Sequence, residues 1–323
     1  MNRKARDLLA VLSLVVLAPA TAACSSSTAA STAAATSATF PVTLHAANGT
    51  VHIATKPKAV ISLSPTATEM LWAIGAAKQV KAVDNDSDYP PGVPTTQLSG
   101  VTPNVEAILA QQPDLVVVAD DSAGLTAHLG AAGVPVLSLP AATKLSDVYA
   151  QLRTLGVATG NAAAGDRVAA ALQARIQHIV AGTHAPAHTT YYYELDPTFY
   201  SATGSTFLGQ VLGLLGLHDI ADAAASAGSQ YPQLSSESII AASPDYIFLA
   251  DTKCCAATPQ SVAARPGWGT ITAVRAGHVV NLDDDVASRW GPRVADLLQV
   301  AAGALSHGAG GATGSTTSTT AGG

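Results

Sequence analysis

The side chains best suited to chemistry in this 323-residue chain are cysteines, acidic residues and aromatic residues in predicted loops. Cys254 and Cys255 are adjacent, so they could form a vicinal disulfide, remain two thiols or bind a metal. In an exported protein we expect the disulfide. The acids at 283–285 favour a solvated loop over a cation site. No nucleophile elbow, phosphate loop or zinc motif occurs, and the nine histidines do not cluster. The sequence therefore predicts neither a catalytic centre nor a metal site.

Two glutamates, Glu106 and Glu237, occupy equivalent places in an internal repeat. Segments 106–120 and 237–251 match at a constant offset of 131 residues (from 106 to 237). Each copy predicts a short helix, a Pro-Asp stop and a buried strand that ends in Asp. Such continuous apolar strands are typical of parallel sheets that are covered on both faces. The repeat therefore predicts two similar α/β lobes.

Further signals extend the two lobes and suggest how they are joined. A strand at 59–63 leads into a helix, with Ser64 fitting its N-cap and Thr66 with Glu69 fitting a capping box. Apolar residues at helical spacing then predict a long helix between the lobes, a stiff connection that allows only small lobe movements. The predicted organisation is an N-terminal lobe over 40–143, a connecting helix over 144–180 and a C-terminal lobe over 181–307.

The start of the chain predicts an export signal. Residues 1–23 combine basic residues, an apolar run that is short for a membrane span, and small residues before Cys24. This arrangement resembles the lipobox of bacterial lipoproteins, in which Cys24 would become the mature N-terminus and carry lipid such as palmitate. An ordinary secretory signal is the alternative. Segment 24–39 predicts a flexible tether, and 308–323 predicts a disordered tail.

Composition excludes several classes of protein. Only 12% of residues are charged and the formal net charge is −6, whereas a nucleic-acid binder needs a basic face. Three cysteines are too few for a scaffold held together by disulfides. A chain of this length can bury a large core without them.

A set of short motifs is spread over residues 57–306. They are Ser64-Pro65-Thr66 with Glu69, Ser87-Asp88-Tyr89-Pro90, Asn104 with Glu106, Arg265-Pro266-Gly267-Trp268 and Pro292-Arg293. Together they resemble the iron-siderophore and vitamin B12 class of ABC-importer substrate-binding proteins, and the first two are closest to its cobalamin-binding branch. The resemblance implies an α/β fold with two similar lobes of parallel sheets, one long connecting helix, a ligand cleft between the lobes and no enzymatic activity.

The ligand of such a protein is expected at the carboxyl ends of the strands, in the cleft. The loops that follow the strands supply the candidate ligand-binding residues Ser64, Thr66, Tyr89, Tyr200, Tyr231, Arg289 and Trp290. Tyrosine and tryptophan suit a large planar ligand such as cobalamin, and Arg289 could pair with an anionic ferric siderophore. Haem would need an axial ligand, for which Tyr89 or Tyr231 could serve.

The resemblance also implies partners and a location. Glu106 and Glu237 would dock onto paired arginines of the permease dimer of an ABC importer, although helix capping alone also explains them. We expect a monomer held by its lipid on the extracytoplasmic face of the cell membrane, binding a small-molecule metal chelate and no nucleic acid. The alternatives are a haem-binding protein of the same class, a surface sensory lipoprotein and, least favoured, an extracytoplasmic hydrolase.

Overall fold

The computed structural model describes residues 39–121, 123–225 and 229–311, with side chains described as far as Ser306. All of them belong to one unit, Thr36–Gly323. The predicted signal 1–23, Cys24 and the predicted tether up to residue 38 lie outside the described residues. Within the described ranges, every helix is too short or too polar to serve as a membrane span.

The first lobe is built on four parallel strands. Three of them are buried along their whole length, and these apolar runs have Pro, Asp or Ser at or beside their ends. An antiparallel hairpin precedes them and a long helix follows. The elements are β1 (Val42–Ala46), β2 (Gly49–Ile53), β3 (Val60–Leu63), α1 (Pro65–Ala73), β4 (Val80–Val83), α2 (Val105–Ala110), β5 (Leu115–Val118), α3 (Leu125–Ala131), β6 (Val136–Ser138), α4 (Leu145–Ala158) and α5 (Ala162–Gly182).

The second lobe repeats the design of the first. Its parallel strands are joined by short helices, and its last helix returns to pack on α5. The elements are β7 (Thr190–Glu194), α6 (Phe207–Gly213), β8 (His218–Asp219), α7 (Ser236–Ala242), β9 (Tyr246–Leu249), α8 (Pro259–Ala263), α9 (Thr272–Ala276), β10 (Val279–Asn281), α10 (Asp284–Ser288) and α11 (Val294–Gly311).

The two sheets have the same topology. The first has the order β4-β3-β5-β6 and the second has the order β10-β9-β7-β8, so in each sheet the first strand along the chain lies between the second and the third. All of these pairings are parallel. This confirms the predicted class, an α/β fold with two similar parallel-sheet lobes. It also shows that the sequence repeat is a structural repeat.

The repeated Pro-Asp pair holds neighbouring strands together. The carboxylate of Asp114 accepts a hydrogen bond from the backbone N–H of Ala59 at 2.9 Å, just before β3. The carboxylate of Asp245 accepts one from the N–H of Thr190, also at 2.9 Å, at the start of β7. Each aspartate therefore satisfies a backbone donor at the amino end of the neighbouring strand, where the ladder begins.

The connection between the lobes differs from the single helix predicted over 144–180. Helix α4 ends at Ala158, Gly160 adopts a left-handed φ of +66°, and α5 packs against α4. A left-handed residue cannot continue a right-handed helix, so the chain turns there. Gly156 and Gly165 let the two helices touch, since a Cβ on Gly165 would lie 2.7 Å from the carbonyl oxygen of Leu152. The one long helix that joins the lobes is therefore α5 alone, about 31 Å long.

The last helix also runs further than predicted, because α11 continues to Gly311, inside the tail predicted over 308–323. The backbone of 308–311 continues α11, and the tail beyond residue 311 lies outside the described residues. Extending an existing helix by one residue adds a backbone hydrogen bond without a new nucleation step, so a helix can run past its apolar face.

One apolar cluster runs through both lobes and the helix between them. It contains Met70 of α1, Leu152 of α4, Ile176 of α5, Tyr193 of β7 and Leu297 of α11, all of them buried. Each sheet has in addition its own smaller cluster on its other face. The lobes therefore share a packed core, which restricts their relative movement to small displacements.

Candidate functional site

A cavity of about 500 Å³ lies between the two lobes, within the size range of small-molecule sites. Its first-lobe wall follows β3, β4 and β5 at their carboxyl ends, and its second-lobe wall is α10 with the segment after it. The lining residues are Leu63, Ser64, Pro65, Thr66, Asp84, Asp86, Gly100, Val101, Ala119, Asp120, Asp285, Ser288, Arg289 and Trp290. Four of the seven predicted ligand-binding residues, Ser64, Thr66, Arg289 and Trp290, thus meet in one place.

The turn from β3 into α1 shapes the first-lobe wall. Ser64 is the N-cap of α1 as predicted, and its hydroxyl accepts a hydrogen bond from the N–H of Ala67 at 3.3 Å. Pro65 takes the first helical position, where its missing N–H is harmless. The capping box predicted from Thr66 and Glu69 does not form, because the Glu69 carboxylate points to arginines of the second lobe instead.

A glycine lets a second loop close over the same wall. A Cβ on Gly100 would collide with the carbonyl oxygen of Leu63 at the end of β3 and lie 3.0 Å from the carboxylate of Asp84. The close approach leaves the next residue, Val101, 82% exposed beside the cavity. An apolar side chain presented in this way offers contact area to a ligand.

Arg289 crosses the cleft and binds acceptors of both lobes. Its guanidinium donates to Asp285 of its own lobe at 2.8 Å and to first-lobe acceptors, the Asp88 carboxylate at 3.0 Å and the Asp86 carbonyl at 3.1 Å. It also donates to Glu69 at 3.1 Å. The side chain lines the cavity with its charge already balanced, so its predicted ligand contact remains a prediction.

Glu69 joins the two lobes, although its spacing from Thr66 predicts a helix cap. It is 3% exposed and accepts from Arg293 Nε at 2.9 Å and from a second Arg293 nitrogen at 2.5 Å. Burial alone would lower the pKa of Arg293, but the hydrogen bonds and charge of Glu69 raise it. The sequence offers one indication of this pairing. Glu69 lies among apolar residues of a helix in a chain with few charges, and a buried glutamate usually has a cationic partner.

Trp290 borders the cavity with its ring anchored at one end. Its indole N–H donates to the side-chain oxygen of Gln151 on α4 at 3.2 Å, and the ring packs on the shared apolar cluster. A fixed aromatic face of this kind suits a flat ligand.

The three predicted tyrosines lie on the surface rather than among the described residues that line this cavity. Tyr89 stacks beneath the Arg293 guanidinium, 4.0 Å from the ring centre. Tyr200 pairs with Gln233 in an isolated antiparallel bridge. Tyr231 is 53% exposed, and Tyr89 and Tyr200 are exposed to about 40%. Their role in binding remains a prediction.

A second charged cluster, which the sequence does not predict, lies at the carboxyl ends of β7 and β9. Buried Glu194 binds Arg265 through two hydrogen bonds of 2.6 Å, and the guanidinium lies 4.5 Å from the centre of the Trp268 ring. Nearby Asp251 is fully buried, and burial raises its pKa to about 6. These contacts use the predicted Arg-Pro-Gly-Trp motif to hold the second lobe together.

The adjacent cysteines lie in an exposed loop after β9, and the structure joins Cys254 to Cys255 by a disulfide. The Asp284 carboxylate accepts from the N–H groups of Lys253 and Cys254, at 3.0 and 2.9 Å, and so ties this loop to the start of α10. The acids at 283–285 thus form caps and ion pairs rather than a solvated loop. Among the described residues, no cluster of acids, histidines and cysteines could hold a metal ion.

Glu106 and Glu237 take equivalent positions, each the second residue of a short helix before the third strand of the parallel sheet in its lobe. Both side chains are exposed. Asn104 and Ser235 cap these helices through their own side chains, so capping does not need the glutamates. Each lobe therefore presents one carboxylate at a matching point of its surface.

Two parallel-sheet lobes, a single connecting helix and a cleft between them define the class of two-lobed solute-binding proteins. The sequence agrees, since the model of the periplasmic binding protein family matches residues 60–286. The chain belongs to this family.

Relatives and a solved structure extend the comparison. An uncharacterized ABC transporter substrate-binding lipoprotein of Bacillus subtilis is 28% identical over 271 residues, which cover 80% of this chain and 84% of the relative. A cobalamin-binding protein of Halobacterium salinarum is 29% identical over 313 residues, which cover 92% and 83%. A possible iron-binding periplasmic solute-binding protein of Staphylococcus epidermidis shares the fold, with a TM-score of 0.67 at 24% identity over 78% of this chain and 99% of that one. The two relatives are named as binding proteins and not as enzymes.

Proposed function

We propose that this protein is a lipid-anchored solute-binding protein that captures a corrinoid or an iron chelate and delivers it to an ABC importer. The observation that carries the proposal is the cavity of about 500 Å³ whose walls come from both lobes. The names of the cobalamin-binding and substrate-binding relatives support the same assignment. The fixed Trp290 ring and the exposed Val101 supply apolar contact for a large ligand.

Calorimetric titration of the soluble form that starts after Cys24 tests this function. The probes are cyanocobalamin, haem and ferric siderophores of different charge. We expect saturable, submicromolar binding of at least one of them. Val101→Arg should abolish that binding, because it fills the cavity from an exposed position, while Val300→Arg, exposed on α11, should leave it unchanged. Absence of binding across the panel would contradict the proposal.

The same proposal assigns Glu106 and Glu237 to permease docking. The two exposed carboxylates, one on each lobe, match a two-fold symmetric partner that carries arginines. Cells that carry Glu106→Gln with Glu237→Gln should lose uptake of the ligand, while the purified variant should bind it as wild type does. Asp166→Asn removes an exposed charge elsewhere and should preserve uptake. Normal uptake in the double variant would overturn the docking role.

Lipid anchoring at Cys24 is the third part of the proposal. It rests on the basic, apolar and small residues that precede Cys24 in the sequence. Cys24→Ala should move the protein from the membrane fraction to the soluble extracytoplasmic fraction. Mass spectrometry of wild type should find acyl chains on the N-terminal cysteine, and an unmodified Cys24 in the membrane fraction would contradict the proposal.

A further inference from the structure

Among the described residues that line the cleft, Asp84 has the one buried side-chain oxygen without a hydrogen-bond partner. Asp84 follows β4, lines the cavity and is 1% exposed. Its Oδ1 atom makes no hydrogen bond to any described residue. Ser87 lowers the pKa of this carboxyl in opposition to burial, and Gly100, without a side chain, keeps the space beside it clear.

A buried carboxylate oxygen without a donor is unfavourable, because it has lost water and gained nothing in exchange. Burial raises the pKa of Asp84, because removal from water disfavours the charged form of the carboxyl group. Some carboxylates elsewhere are satisfied, since Asp114 and Asp245 accept backbone donors and Glu69 and Glu194 bind arginine. Asp219 and Asp251 also have buried oxygens without a donor, but neither of them lines the cleft cavity. Asp84 differs from all of these carboxylates because its unpartnered oxygen belongs to a residue of the cavity wall.

The cavity wall around Asp84 is negatively charged, like the Asp84 carboxylate itself. Asp86 and Asp285 also line the cavity, and Arg289 is the only cationic residue among its described lining. That guanidinium already binds carboxylates on both sides of the cleft. A ligand therefore meets an excess of acceptors and negative charge, and an anionic group placed here would be repelled.

We propose that Asp84 forms a subsite for a hydrogen-bond-donating group of the ligand, an amide or ammonium N–H, and that the acidic cleft selects uncharged or cationic metal chelates over anionic ones. This inference rests on the proposed function and narrows its substrate class. A donor at Asp84 Oδ1 replaces the water that folding removed. Ligand carboxylates or catecholates find no free cation in the described wall.

The first test compares ligands of graded charge on the wild-type soluble form by calorimetry. The panel is ferrioxamine B, which is cationic, cyanocobalamin, which is rich in amides and has no net charge, haem with its propionates, and the trianionic ferric enterobactin. We expect the tightest binding from ferrioxamine B or cyanocobalamin and at least tenfold weaker binding from the two anions. Tightest binding of an anionic chelate would overturn the proposal.

The second test removes the charge of Asp84 without changing its shape. Asp84→Asn should weaken binding of the preferred ligand about tenfold or more, because a neutral amide oxygen replaces the charged acceptor, and should reduce the discrimination against haem. Asp166→Asn on α5 removes the same charge far from the cleft and should change neither value. Equal melting temperatures of the variants and wild type establish that the fold is intact, and Asp84→Ser gives a second reading if Asn perturbs it.

The outcomes separate this inference from the proposed function. If no chelate of the panel binds wild type, both are overturned. If a chelate binds but Asp84→Asn and Asp84→Ser bind it as tightly as wild type, only the Asp84 subsite is overturned.

Discussion

Glu69 shows how a single side chain can couple the two walls of the cleft. It extends from α1 of the first lobe and binds Arg289 and Arg293 of the second. Its environment is almost dry, so the ion pairs gain strength while the loss of either partner leaves an uncompensated charge. The arrangement also holds Arg289 in the cavity wall.

At this residue scale we predict that Glu69→Gln lowers the free energy of unfolding by about 3 kcal/mol, because two partly buried guanidinium groups lose their carboxylate. Urea denaturation followed by circular dichroism measures it. The matched control is Asp166→Asn, which breaks an exposed pair with Arg153 and should change stability by less than about 1 kcal/mol. Similar small losses in both variants would contradict a structural role for Glu69.

A second residue-scale prediction concerns pH. Burial raises the pKa of Asp219, the N-cap of the short 3-10 helix after β8, to about 7. Its unfolded pKa is near 4, so between about pH 4 and pH 7 the unfolded form ionises while the folded carboxyl stays protonated, and stability falls as the pH rises. Asp219→Asn keeps the cap and removes this penalty. The stability of the variant relative to wild type should therefore rise across that window by roughly 2–4 kcal/mol. A difference independent of pH, measured by urea denaturation, would contradict it.

At the scale of elements, close packing of α4 on α5 determines where the connection begins. The glycines at their contact bring backbone against backbone, and Gly160 reverses the chain between them. Helical periodicity in the sequence runs through this turn and therefore predicts a single helix. The chain forms two helices instead, because α4 and α5 each have an apolar face and these faces bury each other.

Gly165→Ala should therefore destabilise the fold by about 1–3 kcal/mol, since its Cβ would overlap the backbone of α4. Thermal unfolding measures the effect. Gly182→Ala, at the end of the same helix with open space around its Cβ position, should be neutral or slightly stabilising. If both substitutions have the same effect, the close contact is not what requires glycine at 165.

At the scale of the whole molecule, the shared apolar cluster makes the two lobes one folding unit. Buried residues of α1, α5 and α11 belong to the same cluster, and ion pairs join the lobes across the cleft. Unfolding of one lobe alone would expose the shared apolar cluster to water, at a free-energy cost that grows with the apolar area exposed.

We therefore predict a single cooperative unfolding transition for the soluble form. Circular dichroism and tryptophan fluorescence should give coincident urea curves, although Trp268 lies in the second lobe and Trp72 in the first. Two separated transitions would show that the lobes unfold independently and would contradict the shared core.

The sequence by itself determined the features that depend on neighbouring residues. Strands, the Ser64 cap, the two Pro-Asp stops and the repeat of lobes follow from apolar runs and from polar residues at fixed local positions. The same motifs also identified the family and four of the residues that line the cavity.

Only the tertiary structure decided the contacts between distant segments. Glu69 and Arg293 are 224 residues apart, so their ion pair leaves no local pattern in the sequence. The local spacing of Thr66 and Glu69 predicts a helix cap instead. The unsatisfied Asp84, the balanced charge of Arg289 and the turn between α4 and α5 likewise depend on which surfaces meet. Burial and close approach are properties of the packed chain. They decide whether an acidic side chain caps a helix, binds an arginine or keeps an oxygen without a hydrogen-bond partner.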